Sequence, residues 1–202
     1  MSSDSQETVD TLQAIQNLLQ QGHLTEALEA ILALPTEQQA AKTGLYMRGV
    51  CERHLRAYGD AEKSLLSLVE QFPSHGRGYQ ELGHLYRDVN KLQDALGAYA
   101  TACHLNPALK ASWENQQRLL EGTQHRDRLN QVSQRLTWLA GLPGELLASL
   151  DLLHEGRLWK SEQICRRFYN NSLTTLTGCE FLLKSQCDTA YWRTLNFCWI
   201  AQ

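Results

Sequence analysis

The chain has 202 residues, 43% of them hydrophobic, with four prolines, 13 glycines and a net charge of −3. That is enough apolar material for one or two domains with a real core, and it excludes a disordered or fibrous class. The charge is uneven: residues 1–40 carry six acids and no Lys or Arg, while the rest carries all 19 basic side chains against 16 acids, a mildly basic body without the concentrated stripe that nucleic acid requires.

The first apolar face runs through Leu12, Ile15, Leu18 and Leu19 at helical spacing, which predicts a helix from about Val9 to Gln20. Its polar neighbours Gln13, Gln16 and Gln20 suit a terminal unit facing water. Gly22-His23 reads as a turn, with Ala27, Ile31 and Leu34 on the inner face of a returning helix. The next unit spans about Lys42 to Pro73. Here Arg48 and Glu52 stand where the following unit has Leu82 and Tyr86. Four residues apart, they share one helix face, and a partly exposed ion pair at a loose junction is expected rather than a buried functional pair. The third unit spans about Gly76 to Pro107. Tyr79, Leu82, Leu85 and Tyr86 form one face; after the turn Asn90-Lys91, Leu92, Ala95, Leu96, Tyr99 and Ala102 form the other. Asn106-Pro107 ends it, because proline restricts the preceding residue and cannot donate to a continuing helix.

The second and third units are the same text 34 residues apart: Gly49 recurs as Gly83, Ala61 as Ala95, Leu65 as Tyr99 and Pro73 as Pro107. A period of 34 with small residues at fixed offsets is the mark of a tetratricopeptide (TPR) array. The predicted fold is therefore all-α, an α-α superhelix built as a TPR solenoid of antiparallel helix pairs. Gly83 should sit where paired helices approach closely. The expected layout is an array over 8–121, with repeats at 8–41, 42–75 and 76–109 and a capping helix at 110–121 that carries Trp113. A polar helical connector follows over 122–142, with Leu129, Val132, Leu136 and Leu139 as a sparse stripe. After the break at Pro143 a further TPR-like pair is expected over 143–168, out of phase with the array. Leu146, Leu147, Leu150 and Leu153 precede its turn, and Leu158, Ile164, Cys165 and Phe168 follow it.

From Tyr169 the grammar stops. Residues 169–202 hold three of the six cysteines and only four charged residues, and end in Phe197, Trp199 and Ile200. A solenoid should end in a polar cap. Two readings stand: an apolar segment that docks on the last helix pair, or truncated or out-of-frame coding sequence. Self-association through this tail is a third expectation.

The chemistry of catalysis is missing from the text. No two of Cys51, Cys103, Cys165, Cys179, Cys187 and Cys198 have C-x-x-C spacing, and the seven histidines show no H-E-x-x-H. There is no G-x-S-x-G, phosphate-binding loop or dinucleotide fingerprint. No metal, no cofactor and no enzymatic activity are expected, and Cys103 reads as core packing. The start MSSDSQETVD is not a secretory signal, and no apolar run approaches the ~18 residues of a spanning helix. A cytoplasmic protein with free thiols, bound to neither membrane nor nucleic acid, is expected.

Two stretches go beyond a generic repeat. Gly76–Leu119, with the strings Arg77-Gly78-Tyr79-Gln80-Glu81, Gly83-His84 and Asn106-Pro107-Ala108-Leu109, resembles the N-terminal repeats of bacterial TPR-containing sulfotransferases, and Glu145–Phe168 is similar to that family's next helix pair. The resemblance covers roughly residues 10–168. In that family the repeats precede a catalytic domain for 3′-phosphoadenosine 5′-phosphosulfate, whose phosphosulfate loop has no counterpart here: Asn170–Gly178 has one glycine and no basic residue. The resemblance implies a detached or truncated module and carries no catalytic residue over.

The geometry of such repeats implies a concave face lined by the first helix of each unit. Tyr46, Val50, Arg53 and His54 should line it in one unit, Arg77, Gln80, His84 and Arg87 in the next, and Glu114 and Arg118 on the cap. The four arginines suit an acidic peptide or carboxylate through forked hydrogen bonds. The expected function is a non-catalytic scaffold binding a protein or peptide in this groove. The alternative is the N-terminal module of a sulfotransferase. The Lys/Asn clamp of chaperone-binding TPR domains is not at the matching positions, which argues against that partner class.

Overall fold

A computed structural model describes residues 3–172, with side chains described for 10–169; all expectations placed on residues 173–202 lie outside it. The described residues form eleven helices: α1 (Ser3–Gln21), α2 (Leu24–Leu32), α3 (Thr36–Ala40), α4 (Lys42–His54), α5 (Tyr58–Gln71), α6 (Gly76–Asp88), α7 (Leu92–Leu105), α8 (Lys110–Leu120), α9 (Arg126–Ala140), α10 (Gly144–His154) and α11 (Leu158–Ser172). α1 begins earlier than the apolar stripe required. Five antiparallel hairpins result, α1/α2, α4/α5, α6/α7, α8/α9 and α10/α11, and the first four stack in order.

Each hairpin turns through one left-handed residue: Gly22, Arg56, Asn90, Gly122 and Gly156, with φ of 83°, 63°, 61°, 84° and 76°. In four of them the amide following that residue donates back to a carbonyl five residues earlier, His23 to Leu18, Ala57 to Glu52, Lys91 to Tyr86 and Arg157 to Leu152. This closes the helix end by tying up orphan carbonyls. Glycine has no Cβ to clash there, and asparagine tolerates the conformation. Arg56 accepts a penalty of about 1 kcal/mol.

Helix spacing is set at one pair of positions per hairpin. A Cβ on Gly83 would stand 2.6 Å from the Tyr99 ring, and one on Gly49 would stand 2.6 Å from Leu65. The close approach expected at Gly83 is therefore real, and Tyr99 is fully buried across from it. The fourth hairpin inverts the sizes at the same positions: Gln117 replaces the glycine, Ser133 replaces the aromatic ring, and Gln117 Nε2 donates to Ser133 Oγ at 3.3 Å. In the fifth hairpin Ser149 lies 2.9 Å from Ser161 and 2.8 Å from Cys165 Sγ. Ile15 and Ile31 fill these positions in the first hairpin, both buried with Ala27, Met47 and Cys51.

Several expectations change. α2 is short because Pro35 falls inside what would be its last turns, and proline lacks the N–H and clashes with the preceding turn. The unanticipated α3 fills the gap. Its carbonyls lie so close to α4 that a Cβ on Gly44 would stand 2.2 Å from Gln38 O. α8 does not end the array as a cap: Ser112, Asn115, Gln116 and Leu120 on it are buried, and α9 packs along it. Val132 of the expected connector joins Leu96 and Leu120 in one apolar cluster. Leu92 and Leu158, expected on apolar helix faces, are exposed at the first positions of their helices. Cys103 is buried, as its core reading requires.

The Arg48–Glu52 pair forms at 2.7 Å, but with uneven burial: Arg48 is about a third exposed, whereas Glu52 is buried. The Ser64 hydroxyl donates to the other Glu52 oxygen at 2.6 Å. Where the third unit has Leu82, Tyr86 and Ala98, the second has this polar triad.

The chain axis turns through 117° between α9 and α10, so α10 does not continue the stack along α9. It reaches instead towards the start of α6 and the segment before α8. Asn106 Nδ2 donates to Asp151 Oδ1 at 2.7 Å, Arg77 pairs with both Asp151 and Glu155, and His154 meets the Leu105 backbone. No single described helix is long and apolar enough to cross a membrane.

Candidate functional site

The first helices α4, α6 and α8 form one row of the stack, and the ten expected groove residues all lie on them. Their side chains do not wait empty. A continuous polar lattice ties the three helices together. Arg53 Nε donates to Glu81 Oε2 at 2.9 Å, its Nη1 to Asp88 Oδ2 at 3.3 Å, and its Nη2 lies 2.9 Å from His54 Nε2. Arg87 holds the same Asp88 carboxylate at 2.8 Å and donates to Asn115 Oδ1 at 2.9 Å. Arg118 donates to that Asn115 oxygen at 3.2 Å, and Asn115 Nδ2 donates to Ala111 O at 2.7 Å.

Burial makes the inner half of this lattice demanding. The Arg53 and Glu81 side chains are 10% and 9% exposed, and an uncompensated charge there would be costly. The outer half is looser: Arg118 is exposed, and among the described residues it has no carboxylate partner.

His84 sits at the centre. Its Nδ1 lies 2.7 Å from Tyr99 Oη, with the rings edge-on. Burial, then the charges of Arg53 and Arg87, lower its pKa to about 4. Burial raises Tyr99 to about 12. Both are therefore neutral near pH 7. Gln80 accepts from Ser112 Oγ at 3.2 Å, and so links α6 to α8.

The other residues sit apart from the lattice. Tyr46 packs edge-on to His75 with centroids 5.4 Å apart, and its pKa is raised to about 12, by burial first and the Glu81 charge second. Val50 is half-buried on the face, and Glu114 pairs with Lys110 at 3.6 Å on the exposed side of α8. Arg77 points to the edge of the row, where Asp151 of α10 and Glu155, just after its last turn, take its fork.

Periodicity placed the ten residues on three helices that pack as one row but missed their partners. Glu81, Asp88, Asn115, Asp151 and Glu155 complete the geometry. The acids in YQELGHLYRD are visible in the text as neighbours of arginines. Asp151 and Glu155 lie more than seventy positions from Arg77, and no local pattern indicates them.

Among the described residues no group of three or more His, Cys, Asp or Glu side chains is arranged to hold a metal ion. The sequence matches no protein-family model and no curated protein. Solved structures match its fold. A crystal structure of MamA superposes with a TM-score of 0.58 over 64% of this chain and 76% of that one, at 15% identity. TTC0263, a thermophilic TPR protein of Thermus thermophilus, gives 0.55 over 86% and 94%, at 17% identity. The structure of Naa15/Naa10 bound to HypK-THB gives 0.59 over 83% of this chain and 25% of that one, at 16% identity. The fold is the all-α TPR solenoid.

Proposed function

We propose that this TPR solenoid is a non-catalytic scaffold that holds a segment of another protein against the row α4, α6 and α8. The observation that carries the reading is the lattice from Arg53 to Arg118. It fixes polar side chains of three successive hairpins in one relative geometry, so a partner meets a preorganised surface and little ordering entropy is lost on binding. The complex of Naa15/Naa10 with HypK-THB is an instance of the fold in a protein assembly, and it supports the class of function without naming a partner.

The lattice also constrains the partner's chemistry. An acidic group aimed at Arg53 must displace Glu81 or Asp88, whereas one aimed at Arg118 need displace no carboxylate. A partner with neutral hydrogen-bonding groups along most of its length and any acid at the α8 end fits best. The test is selection of peptides on the intact chain, followed by hydrogen-exchange mapping of the selected binder. Protection concentrated on α4, α6 and α8, lost in Arg87→Glu, is the expected result. Protection confined to other helices sinks the reading.

The sulfotransferase alternative rests on the strings around Arg77-Gly78-Tyr79 and Asn106-Pro107-Ala108-Leu109. It is tested by adding this chain to a sulfotransferase domain encoded alongside it and assaying sulfate transfer; no change in rate or binding removes it.

A further inference from the structure

A second feature lies outside the polar lattice of α4, α6 and α8. Between α7, α8 and α9 lies an open cleft of about 420 Å³, within the range of about 300–1,000 Å³ typical of ligand sites. Among the described residues no aspartate or glutamate lines it. Its cationic wall is Arg128 and Arg135 on α9; facing them are His104 of α7 and Trp113 of α8, with Gln131 and Val132 between.

The two arginines differ from those of the concave row. Among the described residues, neither Arg128 nor Arg135 has a carboxylate partner. Arg135 is nonetheless oriented: its guanidinium lies over the Trp113 ring at 5.9 Å and over the Trp138 ring at 5.2 Å. Such stacking fixes the plane of a guanidinium while leaving its N–H groups free. Arg128, Val132 and Arg135 share one face of α9, with Val132 buried and anchored in the core. The two cationic heads are therefore carried on a rigid base.

Seven residues of helix rise separate the two arginines by about 10 Å. A single carboxylate cannot bridge both. In a polyproline II segment, with three residues per turn and about 3.1 Å rise, side chains at i and i+3 share one face about 9 Å apart. Trp113 and Val132 offer an apolar wall for a side chain between them.

We propose that the α7–α8–α9 cleft binds an acidic peptide segment in the polyproline II conformation, with carboxylates three residues apart and an apolar residue between, one carboxylate on Arg128 and the other on Arg135. This site is independent of the concave row, and the two can fail separately. There an acidic partner displaces no carboxylate of the described residues.

The experiment is fluorescence polarisation with a fluorescein-labelled proline-rich peptide carrying glutamates at i and i+3 with a leucine and a proline between, on the intact chain. Saturable binding is expected. It should weaken with added salt and by roughly tenfold in Arg128→Gln and in Arg135→Gln, since each variant removes one charge-assisted pair. Arg118→Gln, on the concave row, should bind as wild type. Arg128→Gln touches no described partner and serves as the decisive variant if Arg135→Gln loses its fold. Absence of saturable binding, equal binding by Arg128→Gln, or a peptide with glutamates at adjacent positions binding as tightly would each overturn the proposal. Full displacement by inorganic phosphate at the peptide's own concentration would do so too, by making this a single-anion site.

Discussion

Gly83 and Tyr99 occupy one volume between them: the ring lies where a Cβ on residue 83 would stand, 2.6 Å from Cδ1 and Cε1. Tyr99 is buried and its hydroxyl is tied to His84, so the ring cannot step aside without breaking that contact. Gly83→Ala should therefore destabilise by about 1–3 kcal/mol, against the gain of about 1 kcal/mol in helix propensity. Gly83→Gln should cost more. Combined with Tyr99→Ser, which copies Gln117 and Ser133, its cost should be well below additive. Urea denaturation of the double-mutant cycle measures the coupling, and additive costs would show that the two positions do not share a volume.

Glu52 answers to two partners, Arg48 and Ser64. Glu52→Ala should lose about 1–3 kcal/mol, because it strands a buried hydroxyl and a half-buried guanidinium. The triple change Arg48→Leu, Glu52→Tyr and Ser64→Ala writes the third unit's residues into the second. It should match or exceed wild-type stability, since apolar replacement of a buried polar cluster is often neutral or favourable. A triple variant less stable than Glu52→Ala would show that the backbone of the second hairpin differs from the third.

His84 makes stability depend on pH. Its folded pKa of about 4 lies below the ordinary 6.5, so between these values the unfolded chain binds more protons than the folded one. Stability then rises with pH across that window: the contribution of His84 is complete above about 6.5 and lost as pH falls towards 4. Its ceiling is on the order of 3 kcal/mol. His54, His75 and His154 are also lowered, burial first in each case, and add the same sign. Melting temperature should fall from pH 7 to 4.5, and His84→Gln should flatten that slope. An unchanged slope would place the pH sensitivity elsewhere.

Arg77 joins α6 to α10 through Asp151 and Glu155, and Asn106 adds a second tether. Arg77→Gln should release α10 and α11 without loosening the stacked hairpins. Amide exchange should then quicken roughly tenfold in α10, with α4–α7 unchanged. Quickened exchange through α6 as well would make the contact a part of the array's own stability.

The period of 34, the glycines at 49 and 83, and the alternation of apolar faces determined the solenoid. Each is a local demand: the second and third hairpins need a small residue where their helices touch, every hairpin a left-handed residue where it turns, and each helix a stripe to bury. The same logic found the row of helices that carries Tyr46, Arg53, His84, Arg87 and Arg118. It could not find what those side chains touch. Arg53 with Glu81, Gln80 with Ser112, and Arg77 with Asp151 each join residues brought near only by stacking or by the turn after α9. Whether an arginine is free or already held depends on those distant carboxylates. Arg128 and Arg135 read as ordinary polar residues of a connector until α9 packed on α8. That packing puts Val132 in the core and leaves Arg128 and Arg135 lining one cleft with Trp113, an arrangement that no spacing along the chain encodes.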